Sequence, residues 1–198
     1  RGIFSPNRFM TEVMVRHGVS PNLIKQSAFG IDVTGIGTSV QRDSPRQPFR
    51  VGFIGSLAHH KGCHVLIEAF KTLLPGQAIL KIYGNADTFP EYSHGLNQLA
   101  GDRVEIEFCG VFDNSKIADV LSGIDALVVP SLWFENTPLV LYSAQAGRCP
   151  VVASDFPGLS EVIRDGENGL LFEAGNVTAL AKFLSRLIDE QGLALRLS

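Results

Sequence analysis

The chain has 198 residues, of which 45% are hydrophobic and 19% charged, with a formal net charge of −3. That length suffices for one domain with a full core, or for one domain and an appendage, and the composition is globular rather than disordered or fibrous. A slight excess of acid with no basic stripe excludes a binder of the nucleic-acid backbone, which needs concentrated Lys and Arg. Cys63, Cys109 and Cys149 are odd in number, widely spaced and set in apolar or Gly-rich surroundings. Free thiols in a reducing, cytoplasmic compartment are therefore expected, not a disulfide framework or a zinc site. No apolar run approaches the ~18–20 residues of a membrane span, and no signal peptide is legible. The chain opens at Arg1 and enters an organised motif at once, as a piece of a longer protein would.

In chain order, "FSPNRFMTEVMVRHGVSPN" reads as a helix with Ser5 as N-cap, Pro6 at the first helical position and Gly18 as the stop. Phe9, Val13 and Met14 recur at helical spacing. Residues 32–50 have no sustained period and are rich in Gly, Ser, Pro and charge, as a surface connection is. Residues 1–48 are thus expected to be a helix and linker outside the main sheet, with the principal domain at 49–198. From there strand-like and helix-like runs alternate. The strands are "RVGFIGS", "AILKIYG", "VEIEFCG", "DALVVP", "PVVASD" and "GLLFE". The helices between and after them are "KGCHVLIEAFKTLL", a stretch over 91–99, "NSKIADVLSGI", "PLVLYSAQAG", the short "LSEVIRDG" and "NVTALAKFLSRLIDE". Alternation of this kind predicts an α/β fold with a parallel sheet of about six strands and helices on both faces. Near-continuous apolar strands agree with burial on both sides. Ligands of such sheets bind outside the carboxyl ends of the strands, here the loops 55–62, 84–88, 109–114, 131–139 and 155–161.

Two of these loops suit an anion. In "GSLAHHKG", Gly55 permits close backbone approach and Lys61 stands at a helix start, where the macrodipole favours negative charge. The G-x-G-x-x-G spacing and the G-K-[ST] ending are absent, which disfavours an NAD-dependent oxidoreductase and a P-loop. A lysine so placed is more often a solvated surface residue, and His59 and His60 are more often loop residues than metal ligands; no further His, Cys or acid lies at metal spacing. In "PSLWFENTPLVLYS", Asn136 or Thr137 can cap a helix with Pro138 at its first position, leaving first-turn amides free. Glu135 directly before it can accept hydrogen bonds from a polar ligand or merely help cap the helix. "SDFPGLSEVIRDGENG" repeats the geometry with Asp155, Gly158 and Glu161, where an ordinary connection with a dipole-favoured acid serves equally well. No Ser-His-Asp or Cys-His spacing and no G-x-S-x-G elbow is present, so a hydrolase has no support.

The order and wording of "GSLAHHKGCHVLIEAF", "LKIYGN", "VEIEFCGVFDNSKIADVLSGIDALVVPS" and "ENTPLVLYSAQAGRCPVVASDFPGLSEVIRDGENGLLF" resemble the C-terminal, nucleotide-sugar-binding half of group 1 (glycogen-synthase-like, retaining) glycosyltransferases. These are enzymes of the GT-B fold, built from two Rossmann-like domains. "FSPNRFMTEVMVRHGVSPN…GID" resembles the end of the N-terminal domain and the crossover. The resemblance implies that Lys61 neutralises the donor diphosphate and that Glu135, the first acid of the family's E-x₇-E pattern, lies near the donor sugar. Asn136, Thr137, Pro138 and Leu139 would then face the diphosphate, with the amides of Thr137 and Leu139 turned to it. Cys109, Gly110, Val111 and Phe112 would line the nucleobase, and Gly55, Ser56, Gly84, Gly158 and Glu161 would complete the donor site. Two positions depart from the pattern. Ser143 stands where the second acid would accept ribose hydroxyls, and Ser56 stands where many members carry an arginine. The resemblance implies front-face transfer of a hexose-type sugar in carbohydrate biosynthesis, with the nucleotide sugar as co-substrate and without a cofactor or metal. The acceptor, a glycan, lipid or other molecule, would be bound by an N-terminal domain outside this chain, so the chain alone would be inactive. A cytoplasmic protein follows, with peripheral membrane association of the full-length protein left open. Two alternatives stay open beside it: a non-catalytic nucleotide-binding or interaction module of the same fold, and a sugar-nucleotide epimerase.

Overall fold

The computed structural model describes residues 2–36, 47–190 and 192–198. Most of the connection expected over 32–50 falls on residues 37–46 and so lies outside the described residues. Ahead of the main sheet, β1 (Ile3–Ser5) and β2 (Ile24–Gln26) pair in parallel, with α1 (Arg8–Arg16) between them in sequence. The helix expected here forms, but its N-cap is Asn7, whose Oδ1 accepts from the Met10 amide at 2.7 Å. Ser5 is not the cap: it ends β1, paired with Gln26, two positions ahead of Asn7, and the helix starts at Arg8. It is fully buried, and its hydroxyl donates to the Asn7 carbonyl at 2.9 Å. Pro6 accordingly precedes the helix instead of starting it.

The main sheet is assembled from β3 (Phe49–Ile54), β4 (Ala78–Tyr83), β5 (Ile106–Gly110), β6 (Ala126–Val129), β7 (Val151–Ser154) and β8 (Leu170–Phe172). All neighbours are parallel, in the order β5-β4-β3-β6-β7-β8. The helices crossing between the strands are α2 (Cys63–Lys71), α3 (Pro90–Ala100), α4 (Ile117–Ser122), α5 (Leu139–Ala146) and α6 (Pro157–Ser160). After β8 come α7 (Val177–Asp189) and α8 (Leu193–Arg196), the last of which the sequence pattern did not suggest. Each boundary has a local cause. Pro90 opens α3, the Asn176 side chain accepts from the Ala179 amide at 2.9 Å to cap α7, and Gly62 at φ 70 turns the chain into α2.

Successive strand residues point to opposite faces. Val51, Phe53, Leu80, Ile82, Ala126, Val128 and Val152 therefore pack with Leu66 and Phe70 of α2 and Leu180 and Leu184 of α7. On the reverse face Leu127, Val129, Val151 and Ala153 meet Leu121 of α4, Leu141 and Ala144 of α5, and Leu159. At the amino end of the sheet Arg50 and Asp125 form a nearly buried, two-pronged ion pair, with Nε to Oδ2 at 3.0 Å and Nη2 to Oδ1 at 2.7 Å. This pair ties β3 to the start of β6.

Candidate functional site

The chain runs β3, β4, β5 towards one edge and then returns to place β6 on the opposite side of β3. Loops leaving the carboxyl ends of β3 and β6 consequently diverge, opening a crevice at the topological switch point. A cleft of about 300 Å³ lies there, lined by Gly55, Ser56 and Lys61 from one loop and Ser131, Glu135, Pro138 and Leu139 from the other. A second hollow of about 280 Å³ continues it along the ends of β3, β4 and β5. It shares Gly55 and Ser56 with the first and adds Tyr83, Gly84, Asn85, Gly110, Val111 and Phe112. The two loops are fastened together: the Leu132 amide donates to the His60 carbonyl at 2.7 Å. A Cβ on Gly62 would overlap the Pro130 carbonyl.

Lys61 and Glu135, 74 positions apart in sequence, meet at the floor of the cleft with Nζ to Oε1 at 2.7 Å. The Ser131 hydroxyl donates to the same oxygen at 2.6 Å. Glu135 is 9% exposed, so its carboxylate depends on these two donors for compensation. Lys61 is on a 3₁₀ turn (His59–Lys61). An ammonium has three donors, and the pair with Glu135 uses one of them. The His59 ring stacks on His64 at 4.7 Å behind this turn, and His64 Nδ1 lies 2.7 Å from the Tyr92 hydroxyl. Burial, followed by the charge of His59, holds His64 below its ordinary value, against the pull of Glu68.

Helix α5 begins at the cleft. Its first amides, those of Leu139 and Val140, have no intrahelical acceptor. Neither Asn136 nor Thr137 caps it: Pro138 holds the cap position and no side chain bonds there. Thr137 adopts φ 58, and this turns its side chain away from the helix end. Its hydroxyl donates to the Gly158 carbonyl at 3.2 Å and accepts from Asn7 Nδ2 at 3.3 Å. Asn136 is exposed and its Oδ1 lies 3.5 Å from Asn7 Nδ2. Gly158 is buried against the Glu135 backbone, where any Cβ would overlap the Glu135 carbonyl.

Three further residues singled out in the sequence stand outside the lining of the clefts. Ser143 is buried on α5, its hydroxyl donating back to the Leu139 carbonyl at 3.4 Å. Glu161 accepts from the amides of Arg8 and Phe9, both at 2.8 Å. The Cys109 thiol points back towards the Glu107 carbonyl at 3.7 Å, and burial raises it. Ser131, Tyr83 and Asn7 were not found from sequence. Tyr83 packs edge-on against Phe112 at 5.6 Å, and its hydroxyl is pushed up to about 12, mainly by burial. Ser131 had a signal in its place at the end of β6, but nothing near Asn7 in sequence points to a partner 130 positions away. Among the described residues no group of three His, Cys, Asp or Glu side chains could hold a metal ion, and no helix is long and apolar enough to cross a membrane.

Known proteins resemble this chain in sequence and in fold. A phosphatidyl-myo-inositol mannosyltransferase of Mycobacterium leprae is 34% identical over 190 residues, covering 87% of the chain and 48% of its own length. A D-inositol 3-phosphate glycosyltransferase of Corynebacterium glutamicum is 27% identical over 95% of the chain and 49% of its own length. The chain thus spans about half the length of these curated relatives. Among solved structures, Anabaena HepE in complex with UDP-glucose superposes with a TM-score of 0.87 at 21% identity, over 99% of the chain and 56% of that protein. Sucrose-phosphate synthase from Thermosynechococcus elongatus gives 0.80 at 25% identity, over 98% and 50%. The family described as glycosyl transferases group 1 matches residues 38–198. With this match over most of its length and the sheet of a GT-B half-domain, the chain belongs to the group 1 glycosyltransferases.

Proposed function

We propose that residues 49–198 bind the nucleotide diphosphate sugar of a retaining glycosyltransferase, with residues 1–48 as the crossover from an acceptor-binding domain. The observation that carries this reading is the Lys61–Glu135 pair at the switch-point cleft, beside the open end of α5. A diphosphate there would meet the remaining Lys61 donors and the amides of Leu139 and Val140, a preorganised positive site for charge that grows as the donor breaks. Glu135, fixed by Lys61 and Ser131, would accept hydroxyls of the sugar. The nucleobase would occupy the hollow between Gly84 and the Tyr83–Phe112 pair. In transfer, the bond from the anomeric carbon to the diphosphate oxygen breaks and the acceptor oxygen bonds that carbon from the same face. The acceptor proton passes to the departing phosphate, and the residues named need no metal for these roles. The names of the mannosyl and inositol-phosphate glycosyltransferase relatives support a hexose-type sugar.

Calorimetric titration of the chain with UDP-, GDP- and ADP-sugars tests this. Lys61→Met is expected to weaken the best of them about 10–100-fold, the worth of one hydrogen bond from a charged group. Absence of binding by every donor at millimolar concentration would overturn the reading. Ser143, with its hydroxyl returned to its own helix, favours one second reading, a nucleotide-binding module without turnover. Glycosyl transfer by the full-length protein supplied with donors and simple acceptors excludes it, and turnover without acceptor would point to an epimerase.

A further inference from the structure

We propose that Asn7 is a positioning residue for the loop that carries Glu135: it holds Thr137 in the left-handed conformation and so sets where Glu135 and the first amides of α5 stand. The proposal rests on the cleft being a donor site. Three observations carry it. Asn7 is 4% exposed although it belongs to the segment ahead of the sheet, and its amide orientation is fixed, because Oδ1 accepts from the Met10 amide at 2.7 Å. Nδ2 must then face Thr137, to whose hydroxyl it donates at 3.3 Å, while that hydroxyl donates onward to the Gly158 carbonyl at 3.2 Å. The Asn7 side chain thus starts a directed relay ending on α6.

The second observation is that Thr137 needs holding. A β-branched residue at φ 58 is in a region that ordinary side chains avoid. It lies between Glu135 and the start of α5, so relaxation to extended backbone would swing both. The third is that α1 is clamped independently to the same place. Glu161 receives the Arg8 and Phe9 amides at 2.8 Å each, which leaves the Met10 amide to Asn7. All three leading amides of α1 are therefore satisfied, two by an anion from beyond α6, where the helix dipole favours negative charge. Phe9 also stacks on Phe134 at 5.2 Å, in the same loop. Start of α1, donor loop and α6 form a closed triangle, with Gly158 pressed on the Glu135 carbonyl at one corner.

The relay separates from the helix cap by substitution. Asn7→Asp keeps an acceptor for the Met10 amide but loses the donor to Thr137. In the 198-residue chain, Asn7→Asp and Asn7→Ala are each expected to weaken binding of the best of UDP, GDP and ADP by about tenfold, a size set by one backbone outlier no longer enforced. Trp133, the single tryptophan, lies in the same loop, and its fluorescence anisotropy should fall in both variants without any ligand. Thr137→Gly added to Asn7→Ala restores affinity to within about threefold of the unsubstituted chain, because glycine reaches positive φ without help. A merely structural role would lower the unfolding midpoint but leave anisotropy, affinity and glycine rescue unmoved, and that result overturns the proposal. If the unsubstituted chain binds none of the three nucleotides, the donor reading falls. Trp133 anisotropy then decides the loop-holding role alone: a fall upholds it and no change rejects it.

Discussion

Replacing Asp125 by alanine removes the acceptor of three donors at once: the Arg50 amide at 2.9 Å, Nε at 3.0 Å and Nη2 at 2.7 Å. The side chains of Arg50 and Asp125 are only 12% and 7% exposed, so little water can take the place of the lost carboxylate. Arginine stays charged at any accessible pH, and alanine would leave it desolvated with no counter-charge. Breaking a buried pair from one side costs about 3–5 kcal/mol. The orphaned Arg50 amide moves the expectation to the upper part of that range, a large fraction of the ~5–15 kcal/mol that holds a typical domain together. Asp125→Asn retains one acceptor oxygen and should lose roughly half as much. Urea unfolding followed by far-UV circular dichroism measures both. The pair sits at the amino ends of β3 and β6, away from the cleft, so nucleotide affinity of the folded variant should stay within about twofold. A loss below about 1 kcal/mol for Asp125→Ala would refute the claim that this pair is desolvated and structural.

Gly62→Ala should destabilise by about 3 kcal/mol, since the residue is at φ 70 and its Cβ would enter the Pro130 carbonyl. It should also weaken nucleotide binding by shifting Lys61, and thermal unfolding together with calorimetry would check both effects. His64 supplies a pH dependence. Its proton is held less tightly in the folded state than at the ordinary 6.5, by burial first and His59 second. Below that value the unfolded chain binds more protons, so this contribution is complete above about pH 6.5 and is lost as the pH falls through the depressed folded value. His64→Gln should therefore show a smaller fall in urea midpoint between about pH 7.5 and pH 5.5 than the unsubstituted chain, and an equal fall would discount the burial of His64 beside His59 as its source.

Much of the scaffold follows from local pattern. The apolar strands, the helix face of Val65, Leu66, Ala69 and Phe70, the proline and glycine punctuation and the six-strand count are all properties of short windows of chain, and the structure has them at nearly the expected residues. The placement of Lys61 at one loop and Glu135 at another is likewise readable, because both follow strands whose carboxyl ends lie at the same rim. The sequence alone did not determine which groups join across that rim. Strands β1 and β2 are three residues long and apart in sequence, too brief for periodicity to reveal, so Ser5 read as a helix cap when it ends β1 and its hydroxyl donates to the Asn7 carbonyl. Capping of α5 by Thr137 was equally reasonable until tertiary contacts with Asn7 and Gly158 turned its backbone to φ 58. Glu161 suited a ligand loop by its own neighbours, yet its oxygens face two amides 152 and 153 positions away. Local propensity depends on neighbours within a turn or two, whereas a hydrogen bond depends on which distant groups the packed layers bring within 3 Å. The sequence by itself therefore determined the layers and the rim of the site, and only the packing of those layers decided which side chains fill it.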